Sequence, residues 1–314
     1  MKNKKPQHKK DGLSRQDTKE LGLTPDNRPK AAFNWFPGHM LKAMREIKSK
    51  IKAVDIVLEI RDARVPLVSG NKAMDEALEQ KSRLILLNKV NLADPKHIER
   101  WEQWFKEQST PYLFINCFDK VSIKKVVATA RSIVENKRRE SNPDIVTPKS
   151  KLRMMILGLP NTGKSTIINQ LVGKGIAKTA DKPGQTRVQQ WITIDEELEL
   201  LDTPGVLPPY VEREEHGFWL SIINAIPDGI VGEEGPACYL VKHLQKIKSL
   251  EFQERYKLES LEMDLDETFL AIAKNRGCLK QKGLPDLERV FKIIIHDFRQ
   301  GDLGKVCFGE PPKI

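Results

Sequence analysis

From Val54 onward the chain alternates short apolar runs with amphipathic stretches. The runs VDIVLEI (54–60), RLILLN (83–88), YLFIN (112–116) and RMMILG (153–158) are too short for ordinary helices and rich in strand-forming residues. They predict four buried strands. Residues 72–80, 96–108 and 123–136 lie between them with helical apolar spacing, and strands alternating with helices predict a parallel sheet covered on both faces. QQWITID and LELLDTPG flank Glu196-Glu197 and predict an antiparallel hairpin, for six strands in all. Beyond Pro209 the strand signal stops. YLVKHLQKI, ETFLAIAKN and DLERVFKIIIHDFRQG carry 3.6-residue periods, with Gly301 as a helix stop. Ahead of the first strand, Met40, Met44, Ile47 and Ile51 also recur at helical spacing, just after a Pro-Gly turn.

This pattern divides the chain into a polar, Lys-rich tail (1–30) read as disordered, an α/β domain (31–209) and a smaller all-α domain (210–314). A length of 314 residues supports that much core, and 39% hydrophobic with 31% charged residues describes a globular chain. No apolar run approaches the ~18 residues of a membrane span. The first residues lack the apolar core of a secretory signal. Cys117, Cys238, Cys278 and Cys307 are scattered, which fits free thiols in a reducing, cytoplasmic setting. The net charge of +10 fits either a solvated basic surface or a phosphate-rich partner, and charge alone does not separate them. Lys242, Lys246, Lys274, Arg276, Lys280, Lys282, Lys292 and Arg299 dot the helical region.

The strongest chemical signal is GLPNTGKST (158–166), between a predicted strand and the helix TIINQL. That context makes it a phosphate-binding loop, in which glycines let the backbone wrap a phosphate and the helix N-terminus supplies a positive field. Pro160, Asn161, Thr162, Gly163 and Thr166 build the cradle, Lys164 reaches the β and γ phosphates, and the Ser165 hydroxyl is a Mg²⁺ ligand. LLDTPG brings Asp202 to the same ion and offers the Gly205 amide to a γ-phosphate. KPGQT places Thr186 between the two, where a switch threonine would close over Mg²⁺. The bland alternative for Thr186 is an ordinary loop residue.

NKVN (88–91) ends a strand and resembles a purine reader, with Asn88 on the purine edge and the Lys89 stem across the ring. The backbone near Asn116 and Cys117, at the end of the next strand, would meet the exocyclic oxygen. Asn91 stands where a carboxylate is expected. A carboxylate accepts from both the ring N–H and the exocyclic amine of guanine, whereas a carboxamide has one acceptor, a loss of about 2–4 kcal/mol. Xanthine, with an oxygen in place of that amine, suits the amide better. The expectation is a weaker, less discriminating guanine pocket.

NKVN also precedes the phosphate loop, the reverse of the usual order. Together with NWFPGHMLKAM, DARVPLVSGN, GLPNTGKSTIINQL, KPGQT, DTPG and DFRQGDLG, it makes the chain resemble the circularly permuted GTPases, and among them the ribosome biogenesis GTPase A family, from about Asn34 to Gly309. Relocated chain ends leave the strand positions of a sheet intact, because termini lie at the surface. The resemblance implies a GTP/GDP-binding, Mg²⁺-dependent hydrolase acting on the large ribosomal subunit and its rRNA, beside ribosomal proteins, as a monomer off the membrane. It implies that His39 orients the attacking water, since Val206 and Leu207 follow DTPG where many GTPases carry Gln. The alternative is that His39 caps the following helix. It also implies a K⁺ held by the Asn161 amide oxygen, against the alternative of a turn residue. The permuted order joins DTPG to the helical region through VLPPYVEREEH, so a shift of that motif on hydrolysis would pull on the connection. Two rival functions stand beside the GTPase: an rRNA-docking factor that senses nucleotide with negligible turnover, and an ATP-dependent P-loop enzyme.

Overall fold

The computed structural model describes residues 38–141, 151–173, 190–208 and 211–313. The tail 1–30 and the KPGQT segment therefore lie outside the described residues.

Among the described residues six strands form one sheet: β1 (Ile56–Asp62), β2 (Ser82–Asn88), β3 (Tyr112–Phe114), β4 (Leu152–Gly158), β5 (Gln190–Thr193) and β6 (Leu198–Asp202), in the order β3-β2-β1-β4-β6-β5. Every pairing is parallel except the β5–β6 hairpin. The period-2 alternation of strand side chains sorts them onto two faces. Ile56, Leu58, Ile60, Leu84, Leu86, Met154 and Ile156 face one way, into a cluster shared with α4 (Lys120–Ser141) and α5 (Lys164–Val172). Val57, Met155, Leu157 and Leu201 face the other way, where they meet Met40, Met44 and Ile47 of α1 (Gly38–Lys50). Ile85 and Leu87 pack with Trp101 and Phe105 of α3 (Pro95–Lys106). The stretch 72–80 is less regular than its periodicity predicts: a 3₁₀ turn runs into the four-residue α2 (Asp75–Leu78).

The helices beyond residue 211 are α6 (Glu214–Ile222), α7 (Asp228–Val231), α8 (Glu234–Lys246), α9 (Leu250–Tyr256), α10 (Leu265–Asn275) and α11 (Leu287–Gln300). The three with clear apolar periods are α8, α10 and α11. Helix α10 starts on a capping box between Asp264 and Glu267, and α11 stops at Gly301 with φ +88°. Helix α6 gives little period because Gly217, Trp219, Leu220, Ser221 and Ile222 are all buried, so its apolar side is not a stripe. Leu220, Leu240, Ile294 and Phe298 belong to the same cluster as α1 and the adjoining sheet face. The helical region is thereby packed through apolar side chains to the sheet.

Within it Asp297 is buried and accepts from Arg255 Nε at 2.8 Å and Tyr256 Oη at 2.9 Å. Burial favours the neutral acid, but these donors outweigh it and hold the carboxyl below its ordinary value. Stability from such a group is present above the unfolded carboxylate pKa and is lost as pH falls through the folded one. Asp297→Asn should cost about 2–4 kcal/mol at pH 7 by denaturant unfolding. The gap from wild type should narrow below about pH 4.

Candidate nucleotide site

Parallel pairing brings the carboxyl ends of β1, β2, β4 and β6 to one edge, where ligands of open α/β sheets bind. Asp62 is in register with Asn88, and Ile60 with Gly158, so three of the loops emerge side by side. The phosphate loop leaves β4 at Gly158 and enters α5 at Lys164. A Cβ on Gly158 would meet the Ile60 carbonyl at 2.5 Å, and Gly163 has φ +106°. The glycines of this motif therefore answer to close backbone approach and positive φ.

Asn88 joins the inverted motifs. Its side chain is fully buried; Nδ2 donates to the Thr162 carbonyl at 2.8 Å, while Oδ1 accepts from Cys117 N at 3.0 Å. One carboxamide thus ties the phosphate loop, the end of β2 and the turn after β3. A Cβ on Gly163 would collide with Asn88 Nδ2. Cys117 N–H serves Asn88 in this arrangement, and Asn116 Oδ1 accepts from Phe118 N at 3.1 Å. Asn91 is exposed, on the 3₁₀ turn Val90–Leu92.

On the phosphate side, the Lys164 ammonium donates to the carbonyls of Leu159 (2.7 Å) and Gly158 (3.2 Å). Burial lowers its pKa to about 8, against the opposing charge of Asp202. Asp202 is itself raised to about 6, by burial first, with Lys164 and the Thr203 backbone pulling the other way. Its Oδ1 is buried, and among the described residues no donor reaches it. An orphaned, desolvated carboxylate oxygen near a phosphate loop fits a Mg²⁺ ligand or its hydration shell. Ser165 and Thr166 are half-buried in the first turn of α5. Gly205 lies against the loop, since a Cβ there would come within 3.0 Å of Pro160 N and Cα. The loop after β1 joins in as well: Asn71 Nδ2 donates to the Val206 carbonyl at 3.0 Å.

Asn161 takes a left-handed conformation (φ +57°), and its Nδ2 donates to the Asn224 carbonyl at 2.8 Å, so the phosphate loop touches the turn after α6. His39 is the second residue of α1. Thr186, like Pro209 and Tyr210 of the connection to the helices, lies outside the described residues.

Asp62 and Arg64 belong to DARVPLVSGN, whose spacing alone assigns them no role. Asp62 accepts from Arg64 Nε (2.9 Å) and Nη2 (2.8 Å) and from Lys89 Nζ (3.0 Å). Burial would push its carboxyl up, yet the two cations dominate and hold it well below the usual range. A charged pair two residues apart at a strand end was the available signal. Conversely Arg299, read as part of a basic surface, donates to the carbonyls of Ile222 (3.0 Å) and Ser221 (2.7 Å) and pairs with Asp228 at 3.0 Å. Its guanidinium ties α11 to α6 and α7.

This chain is 40% identical to the ribosome biogenesis GTPase A of Bacillus cereus, over 89% of its own length and 94% of the relative's. It belongs to the ribosome biogenesis GTPase A family. The Thermotoga maritima member is 32% identical over 90% of this chain and 96% of its own. The mouse mitochondrial ribosome-associated GTPase 1 is 33% identical over 87% and 88% respectively. A family model described as 50S ribosome-binding GTPase matches residues 153–266, a span that starts at the phosphate-loop strand and leaves NKVN outside it, upstream. The fold is similar to the crystal structure of GNP-bound YlqF from T. maritima, with TM-score 0.62 and 29% identity over 87% of this chain and all of that one. A GDP-bound YlqF structure gives the same TM-score. Membership makes the chain a circularly permuted, guanine-nucleotide-binding GTP hydrolase of ribosome assembly.

Gly163→Ala tests the clamp between the two loops. Strain at φ +106° and the collision with Asn88 together should cost about 1–3 kcal/mol. The expected outcome is a GDP affinity lowered at least tenfold, read by fluorescent-nucleotide titration. Unchanged affinity would show that Asn88 and the loop are not locked together.

Proposed function

We propose that this site binds GTP with Mg²⁺ and hydrolyses it during assembly of the large ribosomal subunit, with nucleotide state setting the affinity for rRNA. The observation that carries this reading is the buried Asn88 carboxamide, bonded at once to the phosphate loop and the base-side turn. One nucleotide spanning both loops is the economical occupant. The relatives' names and the 50S description favour a ribosomal particle as the partner. In this reading the chain acts there in the cytoplasm, as a monomer.

In this reading the amides of Pro160 to Thr166 wrap the phosphates, and Lys164 exchanges its two loop carbonyls for β and γ oxygens. Ser165, Asp202 and Thr186 would hold Mg²⁺, which when bound would neutralise charge developing on the phosphates. The Gly205 amide senses the γ-phosphate, and a neutral His39 imidazole accepts a hydrogen bond from the attacking water and so orients it. The Asn161 carboxamide oxygen would hold K⁺, which would supply the positive charge that an arginine provides in other GTPases. Asn88 has a second Nδ2 hydrogen for the purine edge, the Lys89 stem covers the ring, Asn116 and Cys117 line the exocyclic oxygen, and Asn91 faces the remaining edge. Residues 210–314 form the RNA-facing helical domain, with exposed Lys242, Lys246, Lys274 and Lys282 on its surface. The connection after DTPG carries the state of the γ-phosphate to it.

Phosphate release measured with and without large-subunit particles, in KCl and in NaCl, tests the assignment. Turnover should rise with particles and with potassium. His39→Ala should keep GTP affinity while lowering stimulated turnover by about a hundredfold or more. Stimulated turnover that is unaffected would remove His39 from catalysis.

The base pocket has its own test. Asn91→Asp should shift the ratio of GDP to XDP affinity toward GDP by about 30- to 1,000-fold, the equivalent of ~2–4 kcal/mol. An unchanged ratio would show that position 91 does not read the base.

A further inference from the structure

The base-side loop is backed by the chain's C-terminal segment. Lys89 has φ +65°, a left-handed conformation that a residue with a Cβ adopts only when its surroundings enforce it. Its ammonium is held by Asp62, whose carboxylate is fully buried and clasped by Arg64. Arg64 is buried too. Its guanidinium lies 4.8 Å from the ring centroid of Phe298, in the last turn of α11, and its carbonyl accepts from Phe308 N at 2.8 Å. Two more contacts join the same segments. A Cβ on Gly301 would come within 2.8 Å of Leu92, and Asp94 N donates to Cys307 Sγ at 3.3 Å. Residues 301–308 thus line the outer side of the loop whose inner side is the candidate purine site.

We propose that this segment, together with Phe298 at the end of α11 against which Phe308 packs, is a positioning element for the purine: Phe298 covers Arg64, Arg64 holds Asp62, and Asp62 holds Lys89 across the base, so that base binding and docking of residues 298–308 strengthen each other. The inference rests on the reading above, in which the Lys89 stem covers the ring. Its physical basis is the dependence of a bidentate charge pair on exclusion of water. If Phe298 and the 301–308 segment lift away, water reaches Arg64, the grip on Asp62 weakens, and Lys89 is released from its constrained geometry. Linkage requires the reverse effect at equal strength: a bound base must stabilise the docked segment by the factor through which the segment raises base affinity. A particle that engages α11 would therefore tune nucleotide affinity from the base side, separately from the connection that follows the γ-phosphate sensor.

The test uses the full chain and two probes, Mg·GDP and Mg·pyrophosphate, which share the phosphate loop and differ in the base. Hydrogen exchange at the Phe308 amide should slow at least threefold on saturation with GDP and stay unchanged with pyrophosphate. Phe298→Leu preserves apolar packing but removes the ring under Arg64; it should weaken GDP binding about three- to tenfold and leave pyrophosphate affinity unaltered. Equal protection by the two probes would overturn the proposal, as would bound GDP with no added protection or full GDP affinity in Phe298→Leu. Absence of GDP uptake by the wild-type chain would overturn the underlying nucleotide site as well, which separates that failure from failure of the coupling alone.

Discussion

A single buried carboxamide bridges the two halves of this site. Asn88 comes from a strand 74 residues ahead of the Thr162 carbonyl to which it donates, and its other end accepts from a third loop. Because the group is fully buried, each of those bonds must be made; a donor or acceptor left unpaired there would cost about 1–3 kcal/mol. The requirement acts on geometry. It fixes the distance between the phosphate loop and the base-side turn whatever order the chain visits them in. Circular permutation is tolerated for that reason: the contacts belong to the edge of the parallel sheet, and the chain order changes only the connections.

Around that bridge the site keeps its charges in arrangements that favour a ligand over the free protein. The Asp202 carboxyl is raised to about 6 and the Lys164 ammonium lowered to about 8, both chiefly by burial. Each is less comfortable as an ion here than in water. A polyphosphate and a divalent cation would relieve both at once, so binding energy is held in reserve by desolvated groups. The base side differs. Asp62 is satisfied by Arg64 and Lys89 within the protein, and it acts as a rigid support. Asp202 Oδ1 has no donor among the described residues while Asp62 is already paired, a division that suits a site whose phosphates change and whose base does not.

The sheet was legible because short apolar runs and a hairpin turn are local properties, and the six strands appear near the positions those runs indicate. The phosphate loop was legible for a similar reason, since Gly158 and Gly163 stand where close approach or positive φ requires them. Long-range polar contacts were not legible. Asp62 and Arg64 look like any charged pair after a strand until Phe298 and Phe308 arrive from the far end of the chain. Arg299 looked like a surface cation, yet its donors meet the carbonyls of α6. Asn161 looked like a turn or a cation ligand, and its amide reaches Asn224. Helix α6 escaped because burial on all sides erases the stripe that periodicity detects.

If Asn88 makes one site out of two loops, calorimetry of the wild-type chain and Asn88→Ala with Mg·GDP, Mg·ADP and Mg·pyrophosphate will show it. The expected result is one molecule of GDP per chain, with Asn88→Ala losing the preference for guanine over adenine and the affinity for pyrophosphate together. Loss of base preference with pyrophosphate affinity intact would contradict it, because the loops would then be independent.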